Sequence, residues 1–145
     1  MEKKSERPSQ LITKKFAKEL HLNFMKYRAR IISKYIQKED ANAVWFSIEE
    51  LENYIDYAKA KGEKKGYNVN GIRFYFGVYP DEKKYAEKAG LSTIFLTATG
   101  KRVKIPATTN NIQPLALVRE SADEEIPGLE PMNYGSIGNP PKLTY

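Results

Sequence analysis

The strictest alternation of apolar and polar residues in this chain runs through Gly71–Pro80, GIRFYFGVYP. There Ile72, Phe74, Phe76 and Val78 alternate with Arg73, Tyr75, Gly77 and Tyr79. Successive side chains on a strand point to opposite faces. The pattern therefore predicts a strand with one wholly apolar face and one face carrying a cation and two phenols. Its β-branched and aromatic content and the terminal Pro80 favour strand over buried helix. The apolar face is expected to lie against helices.

Those helices are predicted upstream. Ile12, Phe16, Leu20, Phe24, Tyr27, Ile31 and Tyr35 recur at three- and four-residue spacing after Ser9, a candidate N-cap. The pattern tolerates a break near His21–Asn23, so it reads as one helix or two. Further on, Ser47-Ile-Glu-Glu50 is a capping box, flanked by Phe46 and Leu51 at the positions of a hydrophobic staple. Glu49, Glu50 and Glu52 suit the positive end of a helix dipole, and Lys59, Lys61, Lys64 and Lys65 the negative end. A helix over about 48–62 is expected, with Ile48, Leu51, Ile55 and Ala58 buried and Gly62 or Gly66 ending it.

Downstream, EKKYAEKA between Asp81 and Gly90 predicts two helical turns. Leu91–Thr99 reads as a second strand, with Ile94, Leu96 and Ala98 on one face and Thr93, Phe95, Thr97 and Thr99 on the other. Thr99-Gly100 reads as a tight turn into a third strand, Lys101–Ile105. Leu115–Arg119, after Pro114, reads as an edge strand. The expected fold is α+β: N-terminal helices packed on a small, mainly antiparallel sheet of three to four strands. Residues 1–8 are expected as a disordered lead-in, 9–119 as a single domain, and 120–145 as an extended, turn-rich C-terminal tail. Within that tail, PMNYGSIGNPP with Tyr134 is expected to lie along the sheet, complete a pocket or hang loose.

Charge changes this picture at one end. The net charge is +6 over 145 residues. Residues 1–40 hold 11 Lys/Arg against 5 Asp/Glu, whereas the rest of the chain is balanced at 13 and 13. Lys14, Lys15, Lys18, Lys26 and Arg28 fall broadly opposite the apolar stripe of the first helix. Such a row would give salt-sensitive, sequence-blind contacts to phosphates; a solvated helix face is the plainer reading. No apolar run is long enough to span a membrane, and no apolar segment follows the charged first residues as in a secretory leader. The expected setting is the cytoplasm.

The order AVWFSIEELENYI, NGIRFYFGVY, STIFLTATG, NYGSIGNPP resembles a set of small uncharacterised bacterial proteins. They share a WFS-type helix start, a GIRFYFG-like strand and a following apolar hairpin. The resemblance covers roughly residues 41–138, is most specific at Gly71–Gly77, and implies bacterial origin but no activity.

Chemistry is sparse. The sequence holds no cysteine and a single histidine, His21, and no nucleotide, nucleophile-elbow or zinc-protease motif. No catalytic residue, metal ligand or cofactor is assigned. The expected function is a small binding or regulatory protein without catalysis of its own, its partner an unknown protein or a small anionic ligand. The alternatives are a nucleic-acid-binding accessory protein using the basic helix, and an enzyme whose site is assembled from distant residues. Arg73, Tyr75 and Tyr79 are the candidate binding residues, since a guanidinium fork beside phenol rings suits a carboxylate, a phosphate or a partner chain. The competing account pairs Arg73 with Glu120, Asp123, Glu124 or Glu125 of the tail.

Overall fold

The computed structural model describes residues 5–103 and 123–137. The expected edge strand Leu115–Arg119, and Glu120 as a partner for Arg73, lie outside the described residues. The fold is α+β, with helices packed with a three-stranded antiparallel sheet.

The chain enters helix at α1 (Lys14–Phe24), where the Thr13 side chain accepts from the Phe16 amide; Thr13, and not Ser9, is the cap. A π turn, Met25–Ala29, joins α1 to α2 (Arg30–Ile36), so the segment is one rod with no break at His21–Asn23. The Arg30 amide reaches back to the Met25 carbonyl, five residues away. Four-residue spacing carries a stripe forward by about 40° per step on an α-helix. The wider π turn takes back part of that drift. Phe16 and Leu20 before it thus keep near the side occupied by Ile31 and Tyr35 after it.

That stripe is not the buried face. Ile12, Phe16, Leu20, Tyr27, Ile31 and Tyr35 are all exposed, and only Phe24 of the predicted set is half-buried. The residues turned inward are Ala17, His21, Ala29, Ile32 and Ile36. Periodicity identified a face of the helix but not what covers it.

Gln37, in the left-handed region with φ 59°, ends the rod. The connection that follows is anchored by Asp40, which is 3% exposed. Its carboxylate accepts the Ser92 amide at 2.6 Å and the Ser92 hydroxyl, and its own amide donates to Ser33 Oγ at 3.0 Å. Beside it, the Lys38 ammonium donates to the Ala89 carbonyl. The short strand β1 (Val44–Trp45) then leads to α3 (Ile48–Lys64). The Ser47 hydroxyl accepts from the Glu50 amide at 2.9 Å, as the capping box requires.

Strand β2 (Tyr67–Val78) pairs antiparallel with β3 (Ser92–Arg102) over nearly their whole length. β3 runs straight through Gly100, so the expected tight turn there does not form. A bulge at Asn70 shifts the register between Val69 and Gly71. It lets odd-numbered Tyr67 and Val69 share a face with even-numbered Ile72, Phe74 and Phe76. Between the strands lies a 3₁₀ segment, Lys83–Lys88, interrupted at Ala86 (φ 50°, ψ −123°), where two regular turns were expected.

Residues 123–137 run back along β3. β4 (Glu124–Glu125) pairs with Thr99 and Gly100, Met132 bridges to Leu96, and β5 (Ser136–Ile137) pairs with β1. Ile126 and Leu129 join Tyr54, Ala58, Tyr67, Leu96 and Ala98 in the core. The core thus reaches past residue 119, into the stretch expected as a tail.

α3 packs on the sheet but does not cover all of it. A helix of 17 residues is about 25 Å long, whereas a strand of 12 residues runs about 40 Å. Tyr67, Val69 and Ile72 take part in the core. Phe74 (56% exposed), Phe76 (91%) and Val78 (67%) extend beyond the helix into the open. The expectation that Phe74 and Phe76 lie beneath helices is therefore corrected.

Candidate functional site

The three candidate residues divide between two places: Arg73 and Tyr75 lie on one face of β2, and Tyr79 follows its last residue, Val78. Arg73 and Tyr75 meet the β4 segment. Arg73 Nη2 donates to the Asp123 carbonyl at 3.2 Å, and Nη1 lies 3.8 Å from Glu125 Oε1. Nη1 also donates to the Tyr75 hydroxyl at 3.4 Å, and that hydroxyl donates to Glu125 Oε1. The Tyr75 ring stacks on Phe95 with centroids 5.1 Å apart. The hydrogen bond to Tyr75 and then the charges of Glu125 and Asp123 raise the Arg73 pKa above its ordinary value. Of the described carboxylates considered as partners, Asp123, Glu124 and Glu125, it is Glu125 that is in an ion pair with Arg73. The group stays solvent-accessible on both sides, at 43% and 51% side-chain exposure, so the pairing is weak.

Tyr79 lies at the far end and is buried. Its hydroxyl donates to Asn133 Oδ1 at 2.7 Å, and the Asn133 amide nitrogen donates to the Ile94 carbonyl at 2.7 Å and to Thr93 Oγ1 at 3.2 Å. This amide clamps the segment 131–135 to the start of β3. The ring of Tyr79 helps to line a cavity of about 440 Å³ with Lys84, Tyr85, Lys88 and Tyr134. The Lys88 ammonium stands 6.0 Å from the centroid of Tyr79 and 5.9 Å from that of Tyr134. The Lys84 ammonium lies 5.1 Å from the Tyr85 ring and 3.6 Å from Glu82. Two residues of this corner, Ala86 (φ 50°) and Tyr134 (φ 64°), hold left-handed backbone without being glycine. That conformation costs on the order of 1–3 kcal/mol per residue and collects at binding and active sites.

Lys84, Tyr85 and Lys88 were not singled out from the sequence. Their one legible signal is the four-residue spacing of Lys84 and Lys88 in EKKYAEKA. Tyr134 does lie along the sheet and does line a cavity, and it is exposed.

The five basic residues proposed for nucleic acid, Lys14, Lys15, Lys18, Lys26 and Arg28, are all exposed along the rod. Among the described residues none is in an ion pair with a carboxylate; Lys26 stands over the ring of Tyr27. Arg28 also borders a larger apolar cavity of about 700 Å³, between the rod and the open end of the sheet. Phe24, Ile32, Val44, Phe76 and Ile94 supply most of its character. Among the described residues, no group of His, Cys, Asp and Glu is gathered so as to hold a metal ion, and no helix is long and apolar enough to cross a membrane. No family model, curated protein or solved structure matches the chain.

Proposed function

We propose that the protein binds a small anionic ligand with an aromatic or planar body, in the corner lined by Tyr79, Lys84, Tyr85, Lys88 and Tyr134. The observation that carries this reading is the placement of two ammonium groups among three phenol rings around one cavity. Ammonium groups supply charge-assisted bonds to a carboxylate or phosphate, and the rings supply flat apolar walls. The non-glycine left-handed backbone at Ala86 and Tyr134 lends support. A bacterial cytoplasm is the proposed setting, on the resemblance of Gly71–Gly77 and its neighbours.

Titration calorimetry with phenyl phosphate, benzoate and inorganic phosphate tests this directly. The aromatic anions should bind at least ten-fold more tightly than inorganic phosphate, and Lys88→Gln should weaken them by a similar factor. No heat from any of the three at millimolar concentration would remove the reading.

A second reading keeps the basic rod as a nucleic-acid surface, favoured by the exposure of Lys14, Lys15, Lys18, Lys26 and Arg28. Its affinity would fall steeply with salt. A gel-shift assay at about 50 mM salt that shows no retarded DNA or RNA would dismiss it.

A further inference from the structure

Two apolar surfaces of this chain are exposed, and nothing among the described residues covers either. One is the outer stripe of the rod: Phe16, Leu20, Tyr27, Ile31 and Tyr35, the last 88% exposed. The other is the open end of the sheet, Phe74, Phe76 and Val78, bordered by the apolar trough between rod and sheet. Contiguous exposed apolar area on this scale marks an interaction surface. We infer that the occupant is a second copy of this chain, with the rod of each copy lying across the open sheet end of the other.

Three observations favour a second copy. The first is area. A large aromatic side chain offers about 200 Å², so the exposed fractions of these eight residues amount to roughly 900 Å² per copy. A stable interface needs about 800 Å² from each partner. The second is shape. The rod is a convex cylinder about 10–12 Å across, and the sheet end with its trough of about 700 Å³ is concave. A two-fold axis makes such a pair of unlike patches meet twice, closing the assembly.

The third is charge. Residues 14–36 carry seven Lys/Arg and a single acid, Glu19, so rod against rod would set like charges together. The start of α3 beside the sheet carries exposed carboxylates without basic neighbours in its first turn, Glu49, Glu50 and Glu52. After β2, by contrast, Asp81 and Glu82 are offset by Lys83 and Lys84. An anionic lipid surface would account for the rod but leave Phe74, Phe76 and Val78 bare. A second copy accounts for both.

Sedimentation equilibrium on the full chain at about 10–50 µM is the test, with variants Phe76→Asp and Ile31→Asp. Both sites are solvent-exposed, and circular dichroism should show both variants folded. The wild type should sediment as a dimer and each variant alone as a monomer. Mixed in equal amounts, the two variants should dimerise again, because the intact rod of one meets the intact sheet end of the other. Should Ile31→Asp fail to fold, Tyr35→Asp at the end of the rod takes its place. A monomeric wild type would overturn the inference, including one that binds vesicles rich in anionic phospholipid. So would a dimer that survives Phe76→Asp, or two variants that do not complement.

Discussion

Asp40 joins the helical rod to the sheet, and its removal gives the sharpest test of how the two halves are held. Its carboxylate accepts both the amide and the hydroxyl of Ser92, the first residue of β3, from a position almost closed to solvent. Hydrogen bonds to a charged group contribute about 1.5–3 kcal/mol each. Asp40→Ala removes both. Ser92 is half-buried, so its hydroxyl can turn to water and recover part of the loss. The expected cost is about 2–4 kcal/mol. With a urea m-value of about 2 kcal/mol/M for a domain of this size, the midpoint should fall by roughly 1–2 M with the slope unchanged. Far-ultraviolet circular dichroism reads the transition. Ser92→Ala should cost less, because the amide bond survives, and the double mutant should fall short of additivity by about 1 kcal/mol. A midpoint shift below about 0.3 M for Asp40→Ala, or strict additivity, would show that the carboxylate does not hold β3.

Two further outcomes follow from groups whose partners are equally defined. Ser47→Ala should lower stability by about 1 kcal/mol, the usual cost of losing an N-cap, read as a midpoint shift in urea without loss of helix signal. The Tyr54 hydroxyl is shared between the Leu96 carbonyl at 3.2 Å and the Glu130 carbonyl at 3.1 Å, and burial raises its pKa above 10.0. Tyr54→Phe should therefore cost about 1 kcal/mol at neutral pH. Because the folded pKa exceeds the unfolded one, this contribution is complete below about pH 10 and is lost as pH rises through the folded value. The gap between wild type and Tyr54→Phe in urea should accordingly close at alkaline pH; a gap that stays constant would contradict the burial of the phenol.

What could be read from the residues was local. The Ser47 cap, helix α3 and the extended backbone of β2 and β3 each depend on side chains within a few positions of one another, whereas the order of the strands does not. The bulge at Asn70 was not read, although it leaves a trace, since the apolar positions slip from odd to even between Val69 and Ile72. What could not be read was which apolar faces find a partner. Phe74, Phe76 and the rod stripe have the pattern of core, but α3 is too short to reach the far end of β2, and length mismatch between distant elements leaves no mark on periodicity. Nothing around Asp40 in the sequence marks it as an anchor, because its partner, Ser92, lies 52 residues on. The division of Arg73 and Tyr75 from Tyr79 has the same origin: Glu125 and Asn133, which claim them, come from the returning segment. A turn-rich composition said only that this segment could bend.

The return of residues 123–137 along β3 also sets the order in which the protein can fold. Leu96 closes against Met132, and β1 pairs with a strand at the far end of the described chain. The rod needs only local contacts and β2–β3 pairs residues 14 to 35 positions apart, whereas pairings between more distant positions cost more loop-closure entropy and are expected later. On a ribosome adding about 5–20 residues per second, a few seconds separate the appearance of β3 from that of Met132. Throughout that interval β3 lacks the pairing that Glu124, Glu125 and Met132 bring, and Leu96 and Ala98 have only the part of their core that Tyr54, Ala58 and Tyr67 supply. A chain that stops short of residue 124 should keep that edge of β3 open to pairing with another chain.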